Sequence, residues 1–171
     1  LTTVELPETP EVTSVWALHE DRQGRMWFGT MHSLLISDGQ QFARYPAGPA
    51  PEVARGCRVI LEDRNGCIWA GSGMFWHGWG SGLRRYDGRS WRTFTTADGL
   101  ASDLVCALAE DRHGRLWVGG GQGGLSVYEQ ERFAALVGLP RCTVTAIAED
   151  REGRMWAATF GAGVWSRDPS A

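Results

Sequence analysis

The residues best suited to chemistry in this sequence are four aromatic and imidazole side chains in one glycine-rich loop. The segment GSGMFWHGWGSG brings Phe75, Trp76, His77 and Trp79 together, with glycines on both sides. An exposed indole offers a large apolar face and one N–H donor, so this cluster could stack on a sugar ring or another ligand with an apolar face. The same side chains could instead fold back and fill the centre of the domain. Both interpretations stay open at this point.

A second set of chemically active groups belongs to an octet that occurs four times, as EDRQGRMW, EDRNGCIW, EDRHGRLW and EDREGRMW, at 20–27, 62–69, 110–117 and 149–156. Carboxylates can act as acids, bases or metal ligands, but function seldom needs four copies of one turn. A tight hairpin explains the octet better, since its Asp can accept from N–H groups just ahead and its Gly supplies a positive φ. We expect the octet Glu to pair with the second octet Arg across the hairpin, and the octet Trp to wedge between neighbouring sheets.

The residues predicted to have these structural roles recur at the same octet positions. They are Asp21, Gly24, Trp27, Asp63, Gly66, Trp69, Asp111, Gly114, Trp117, Asp150, Gly153 and Trp156.

Each octet lies within a repeat of four short apolar segments separated by turn residues, which predicts four strands, A to D, per repeat. Self-similarity at a period of about 40 residues indicates a repeat architecture, and four-stranded units stacked radially describe a β-propeller. The fold predicted is therefore all-β, a β-propeller of four four-stranded blades in a single domain, 1–171. The blades are expected at about 11–46, 57–97, 104–139, and 143–171 together with 1–7.

The two ends of the sequence indicate how the last blade is completed. The fourth repeat reaches Asp168 and stops at Ala171, before its strand D, whereas Leu1 and Val4 match the apolar positions of that strand. Leu1–Leu6 is therefore predicted to supply it, by the velcro closure in which an N-terminal strand completes the last blade. Three arrangements satisfy this pattern: a self-closed four-bladed monomer, a strand-swapped homodimer with an eight-bladed ring, or a piece of a longer array.

The repeat run apolar-x-E-D-x-x-G-x-x-W-x-G-T/S-x-x-G-G-L-x-x-Y-D resembles the two-component regulator propeller repeat. The first repeat departs from it, with TMHSLL in place of the Gly-Gly-Leu turn. The resemblance implies a non-catalytic sensor domain of the bacterial cell, located outside the cytoplasm (periplasmic). Many members of the family respond to polysaccharide fragments, so it also implies that an oligosaccharide or other small ligand is the partner.

The composition of the chain disfavours two other classes of partner. The net charge is −3 and no run of Lys or Arg occurs, which disfavours a nucleic acid or an anionic membrane surface. The sequence has no apolar stretch of about 18 residues, so we expect no membrane insertion by this chain. The four cysteines lack Cys-x-x-Cys spacing and are interpreted as free, mostly buried thiols.

Binding is expected on one rim of the propeller, because antiparallel strands send alternate loops to opposite rims. The B–C loops and the D–A connections share one rim, called here the B–C rim, and these loops vary whereas the octet turns repeat. The second B–C loop, which holds the aromatic cluster, is about six residues longer than the others. The candidate ligand-binding residues on this rim are Phe75, Trp76, His77, Trp79, His32, Gln122 and Phe160.

Two other functions stay as alternatives: a protein–protein interaction scaffold and, less favoured, a propeller lyase. His32 and His77 belong to B–C loops of adjacent repeats, but no acid in those loops completes a general acid–base set. A metal site would also need more ligands than two histidines. We therefore predict a protein that is not an enzyme and has no catalytic residue, metal or cofactor.

Overall fold

Four antiparallel sheets, each built from consecutive strands of the chain, make up the fold. The computed structural model describes residues 14–31, 33–45, 56–73, 80–122 and 124–168. Within them, three sheets have four strands and the last has three. The strands are β1 (Val15–Glu20), β2 (Met26–Thr30), β3 (Leu34–Ser37) and β4 (Phe42–Tyr45) in blade 1; β5 (Val59–Glu62), β6 (Ile68–Gly71), β7 (Leu83–Tyr86) and β8 (Trp91–Phe94) in blade 2; β9 (Val105–Glu110), β10 (Leu116–Gly120), β11 (Leu125–Glu129) and β12 (Arg132–Leu136) in blade 3; and β13 (Thr143–Glu149), β14 (Met155–Phe160) and β15 (Val164–Arg167) in blade 4.

The all-β prediction is confirmed, and the blades follow one another around a common axis. The first strand of each blade is the inner one, because β1 contacts β5, β5 contacts β9 and β9 contacts β13. One short 3-10 helix, Thr96–Asp98, leads from blade 2 towards blade 3. No helix in the described segments is long and apolar enough to cross a membrane. The predicted outer strand Leu1–Leu6 lies outside the described residues.

The octet forms the turn between the first two strands of every blade. The Oδ1 atom of Asp21 accepts from the backbone N–H of Gln23, at 3.0 Å, and of Arg25, at 2.9 Å. Gly24 has a φ of 76°, which favours glycine. The other Oδ atom of Asp21 accepts a hydrogen bond from the indole Nε1 of Trp27 at 2.7 Å. The same indole–carboxylate bond recurs in the other blades, at 2.7 Å in Trp69–Asp63, 2.9 Å in Trp117–Asp111 and 2.8 Å in Trp156–Asp150.

The core lies between the blades, and the octet tryptophans are part of it. Trp69 packs with Leu83 and Phe94 of its own blade against Leu116 and Tyr128 of blade 3. Trp27 and Trp117 occupy the corresponding positions between blades 1 and 2 and between blades 3 and 4. These three indoles are at most 3% exposed, but Trp156 is 37% exposed. The difference arises because no described blade packs on that side of blade 4.

The octet Glu and the first octet Arg join one blade to the next. The Nε atom of Arg64 in blade 2 lies 2.6 Å from Oε1 of Glu110 in blade 3, and its Nη2 atom donates to the carbonyl of Asp111 at 2.6 Å. In blades 1 and 3 the second octet Arg instead binds the Asp of its own turn, as in Arg115 Nε–Asp111 Oδ2 at 2.6 Å, whereas Arg154 of blade 4 binds Asp168 at 2.7 Å. The predicted cross-strand pair of Glu110 with Arg115 is therefore wrong.

Stability should depend on pH through the octet aspartates. Burial opposes ionisation of Asp21 and Asp111, but hydrogen bonds from the indole, the backbone and the second octet Arg outweigh it and leave their pKa below the usual value. A hydrogen bond from Trp156 lowers the pKa of Asp150. A carboxyl with a lowered folded-state pKa stabilises the fold above its unfolded pKa of about 3.9, and this contribution is lost as the pH falls through the folded-state pKa.

We therefore expect the free energy of unfolding to decrease steadily as the pH is lowered from about 5 to about 3. Urea unfolding followed by tryptophan fluorescence at a series of pH values measures this dependence. The slope should be smaller in an Asp111→Asn variant, which has lost one of the titrating groups. A slope equal to that of the unsubstituted protein would contradict the assignment.

Candidate functional site

The strand register places the B–C loops at one end of all four blades. The residue pairs at this end are Val15 with Thr30, Val59 with Gly71, Val105 with Gly120, and Thr143 with Phe160. At the opposite end, Glu20 pairs with Met26 beside the octet turn. The B–C rim therefore holds the loops that vary among the repeats, together with the segments that enter each inner strand.

Only two of the seven candidate ligand-binding residues lie in the described part of the chain. Gln122 is exposed and has a φ of 61° in the B–C turn of blade 3. Phe160 is 67% exposed at the end of β14. The other five fall outside the described residues, so their role stays a prediction; they are His32, Phe75, Trp76, His77 and Trp79.

The two ends of the long B–C loop of blade 2 are held in place by hydrogen bonds. The buried hydroxyl of Ser72 donates to the carbonyl of Gly82 at 2.8 Å and accepts from the N–H of Ser81 at 2.9 Å. The carbonyl of Ser72 accepts from Val105 N, and Gly82 N donates to the carbonyl of Asp103. The loop therefore leaves and re-enters blade 2 at points that are fixed against blade 3.

The glycines flanking the aromatic cluster are explained by close packing. A Cβ atom on Gly80 would lie 1.9 Å from the carbonyl oxygen of Asp103. One on Gly73, whose φ is 158°, would lie 2.0 Å from Cδ1 of Leu104. Any side chain here would push the loop base away from blade 3. The glycines thus allow the loop base to approach its neighbour closely.

An arginine that the sequence reasoning did not select lies on the inner side of the same rim. The guanidinium carbon of Arg58 is 5.9 Å from the centre of the Trp16 ring, within cation–π range. Burial raises the pKa of the Cys106 thiol, and the positive charge of Arg58 opposes this increase. Trp16, Arg58, Cys106 and Thr145 all stand four residues before an octet Glu. A comparison of this position among the four repeats would have identified Arg58 as the cationic residue there.

An apolar groove of about 550 Å³ separates blades 3 and 4. Its lining includes Trp117, Leu136, Leu139, Met155 and Trp165. Trp91 of the outer strand of blade 2 packs against the core between blades 1 and 2, and Phe133 of the outer strand of blade 3 packs against the core between blades 2 and 3. The groove therefore marks where an outer strand of blade 4 would lie, and we do not assign it to a ligand.

Within the described segments, no three His, Cys, Asp or Glu residues come together as a metal site. The four cysteines are free thiols. Burial raises the pKa of Cys57 to about 12, which keeps this thiol protonated and unreactive at neutral pH. The described residues on the inner side of this rim thus offer stacking, hydrogen bonding and the Arg58 cation.

Three segments of the chain match the family model of the two component regulator propeller: residues 10–32, 99–122 and 138–161. They contain parts of blades 1, 3 and 4. No curated protein sequence matches the chain.

Solved structures similar to this chain include the extracellular domain of a B. thetaiotaomicron protein described as a hybrid two component system. That domain is 17% identical to this chain, the match covers 97% of this chain and 24% of the solved one, and the TM-score is 0.75. PorZ, a surface component of the type-IX secretion system of Porphyromonas gingivalis, is 17% identical over 98% of this chain and 28% of its own, with a TM-score of 0.71. Virginiamycin B lyase from Staphylococcus aureus is 16% identical over 95% of this chain and 57% of its own, with a TM-score of 0.67.

At these identities the similarity shows the fold alone. The chain spans about a quarter of the length of the first two of these proteins. The arrangement of its blades is therefore one that also occurs within longer propeller proteins.

Proposed function

We propose that this chain, three segments of which match the family model of the two component regulator propeller, is part of an extracytoplasmic sensor, which binds a ligand and catalyses no reaction. Similar structures described as extracellular domains of two component systems support this location and role. The match lies in the repeats that build the blades, so the ligand must be inferred from the parts of the chain that differ among them.

The binding site is proposed on the B–C rim, at the aromatic loop of blade 2. The observation that carries this proposal is the anchored loop base, where Ser72 and Gly82 are bonded to blade 3. A loop with fixed ends can present Trp76 and Trp79 in a defined place, which lowers the entropy cost of binding. Exposed Phe160 adds a further aromatic surface, and Arg58 adds a cation to the same rim. Together they suit an oligosaccharide, whose rings stack on indoles and whose polar groups accept from a guanidinium.

A non-catalytic role is proposed because the described rim brings together no general acid and base. The similarity to virginiamycin B lyase concerns the fold and supports no reaction here. A scaffold that binds another protein through the same rim is the alternative, and the binding experiment separates the two.

The outer strand of blade 4 is proposed to come from residues 1–6, of the same chain or of a second one. The apolar groove between blades 3 and 4 supports this, since Leu136 and Met155 line it beside the edge of β15 that pairs with no other strand among the described residues.

We expect oligosaccharides selected on a glycan array to shift the tryptophan fluorescence of the protein on titration. The double substitution Trp76→Ala and Trp79→Ala should weaken that binding at least about 30-fold, because stacking on each ring contributes roughly 1–3 kcal/mol in comparable ring–base stacks, or about 2 kcal/mol or more for the two rings. Trp156→Ala is the matched control, because it removes an indole that is bonded to Asp150 of the octet turn, on the opposite rim. It should leave the affinity unchanged.

Circular dichroism and thermal unfolding establish that each variant is folded. Retention of oligosaccharide affinity in the folded double variant would exclude the aromatic loop as the site. A protein that binds no glycan but retains a protein partner through Trp76 and Trp79 would be a scaffold.

A further inference from the structure

The blades are joined by a repeated set of contacts, called here the arginine ladder. In each step the first octet Arg of one blade reaches the octet Glu of the next blade and the backbone carbonyls that follow it. Arg64 binds Glu110 in this way, and Arg112 Nε lies 2.6 Å from Glu149 Oε1. In the first step, the backbone N–H of Arg22 donates to Glu62 Oε2 at 3.0 Å, and its guanidinium donates to the next turn. The ladder is directional, because the cation always lies in the earlier blade.

The ladder has an open donor at one end and an open acceptor at the other. Arg151, the first octet Arg of blade 4, and Glu20, the octet Glu of blade 1, are both exposed. Neither side chain has an ion pair within the described part of the chain, although each occupies a position that is paired at every internal interface. The two ends therefore carry opposite charges in matching positions.

The apolar surfaces beside these charges are also open. On blade 4, Trp156 is 37% and Val164 65% exposed, whereas the matching Trp117 and Leu125 of blade 3 are 3% and 7% exposed. On blade 1, Leu18 is 62% exposed. Both end faces therefore carry charged and apolar side chains like those of the internal interfaces, and no blade among the described residues packs on them.

We propose that the blade 4 face binds the blade 1 face of a second copy of this chain. Arg151 would bind Glu20 of that copy and the carbonyls of its following turn, as Arg112 binds Glu149 and the carbonyl of Asp150. Trp156 would pack against its first blade. This inference does not depend on the proposed ligand.

A second copy fits because its blade 1 presents the same octet and the same register as the internal blades. The contact is heterologous, since two different faces meet, and such contacts close into a ring when the rotation allows it. Two chains joined twice in this way form a ring of eight blades with both ladders complete.

Sedimentation equilibrium tests the proposal, and we expect a species of twice the chain mass of 18.8 kDa. Arg151→Glu and Glu20→Arg should each weaken self-association at least about tenfold, because like charges then face each other. An equimolar mixture of the two variants should recover the dimer. In a mixed ring, the two reversed charges meet at one interface and the original Arg151–Glu20 pair forms at the other.

Arg89→Glu is the matched control, since Arg89 lies on an exposed turn of blade 2 outside the ladder. It changes the net charge as much as Arg151→Glu does and should leave the dimer intact. The substituted side chains are exposed, and circular dichroism verifies folding. A protein that is monomeric at all concentrations, or a mixture that stays monomeric, would overturn the proposal. A monomer that loses stability on Arg151→Glu would indicate closure on its own blade 1 and would overturn it as well.

Discussion

The variant Trp69→Ala is expected to lower the free energy of unfolding by about 3–5 kcal/mol. The Trp69 ring is 1% exposed, lies 5.0 Å from the Tyr128 ring and 5.8 Å from the Phe94 ring, and fills the space between blades 2 and 3. Its removal leaves a cavity and an unused acceptor on Asp63. Against a total stability of roughly 5–15 kcal/mol, this loss is large enough to unfold much of the protein.

Trp156→Ala is the matched control because Trp156 has the same octet position and the same bond to its aspartate, but is 37% exposed. At protein concentrations low enough for the chain to be monomeric, we expect a clearly smaller loss of stability from this change. Urea unfolding followed by circular dichroism, which does not depend on the substituted fluorophore, compares the two variants. Equal losses would show that the indole–aspartate bond, rather than burial between blades, accounts for the stabilisation.

Asp111→Ala should destabilise the protein by about 3 kcal/mol or more, because a buried donor left without an acceptor costs roughly 1–3 kcal/mol. The Asp111 carboxylate accepts from the N–H groups of His113 and Arg115, from the Arg115 guanidinium and from the Trp117 indole. Trp117 Nε1 is buried between blades 3 and 4, where water cannot replace the lost acceptor. The measurement is the urea midpoint together with its slope.

Asp87→Ala provides the comparison for this variant. Asp87 also accepts two backbone N–H bonds, from Arg89 and Ser90, but it lies on an exposed turn. Water can accept hydrogen bonds from these N–H groups in the variant, so we expect little change in the urea midpoint. A loss as large as that of Asp111→Ala would mean that the turn geometry alone, and not the buried indole, explains the effect.

The octet illustrates how far reasoning from the sequence could go. The turn, with Asp21 accepting from N–H groups ahead and Gly24 at positive φ, follows from local chemistry and was predicted. The partner of the octet Glu was not predicted correctly. Arg64 and Glu110 are 46 residues apart, and a local pattern favours the nearer Arg115. One signal was available: the first Arg occurs in all four octets, whereas Cys67 replaces the second Arg in blade 2.

The proposed site was reached from the sequence by a departure from the repeat, the extra residues between Trp69 and Leu83. What the structure added concerns the setting of this loop. Ser72 and Gly82 anchor its base, and Gly80 is required by the approach of Asp103. Arg58 was overlooked because it carries no motif, and its relation to Trp16 exists only across two blades.

The sequence by itself determined the all-β fold, the repeated turn and the place of one tryptophan in the second strand of each blade. These features follow from local hydrogen bonding and from a pattern repeated four times. Only the tertiary structure decided which charges meet, because the ladder pairs residues 37 to 46 positions apart, as in Arg112–Glu149 and Arg64–Glu110. It also decided that Trp156 differs from Trp69, since burial depends on whether a neighbouring blade covers the ring. The octet, which is a local sequence, does not indicate whether such a blade is present.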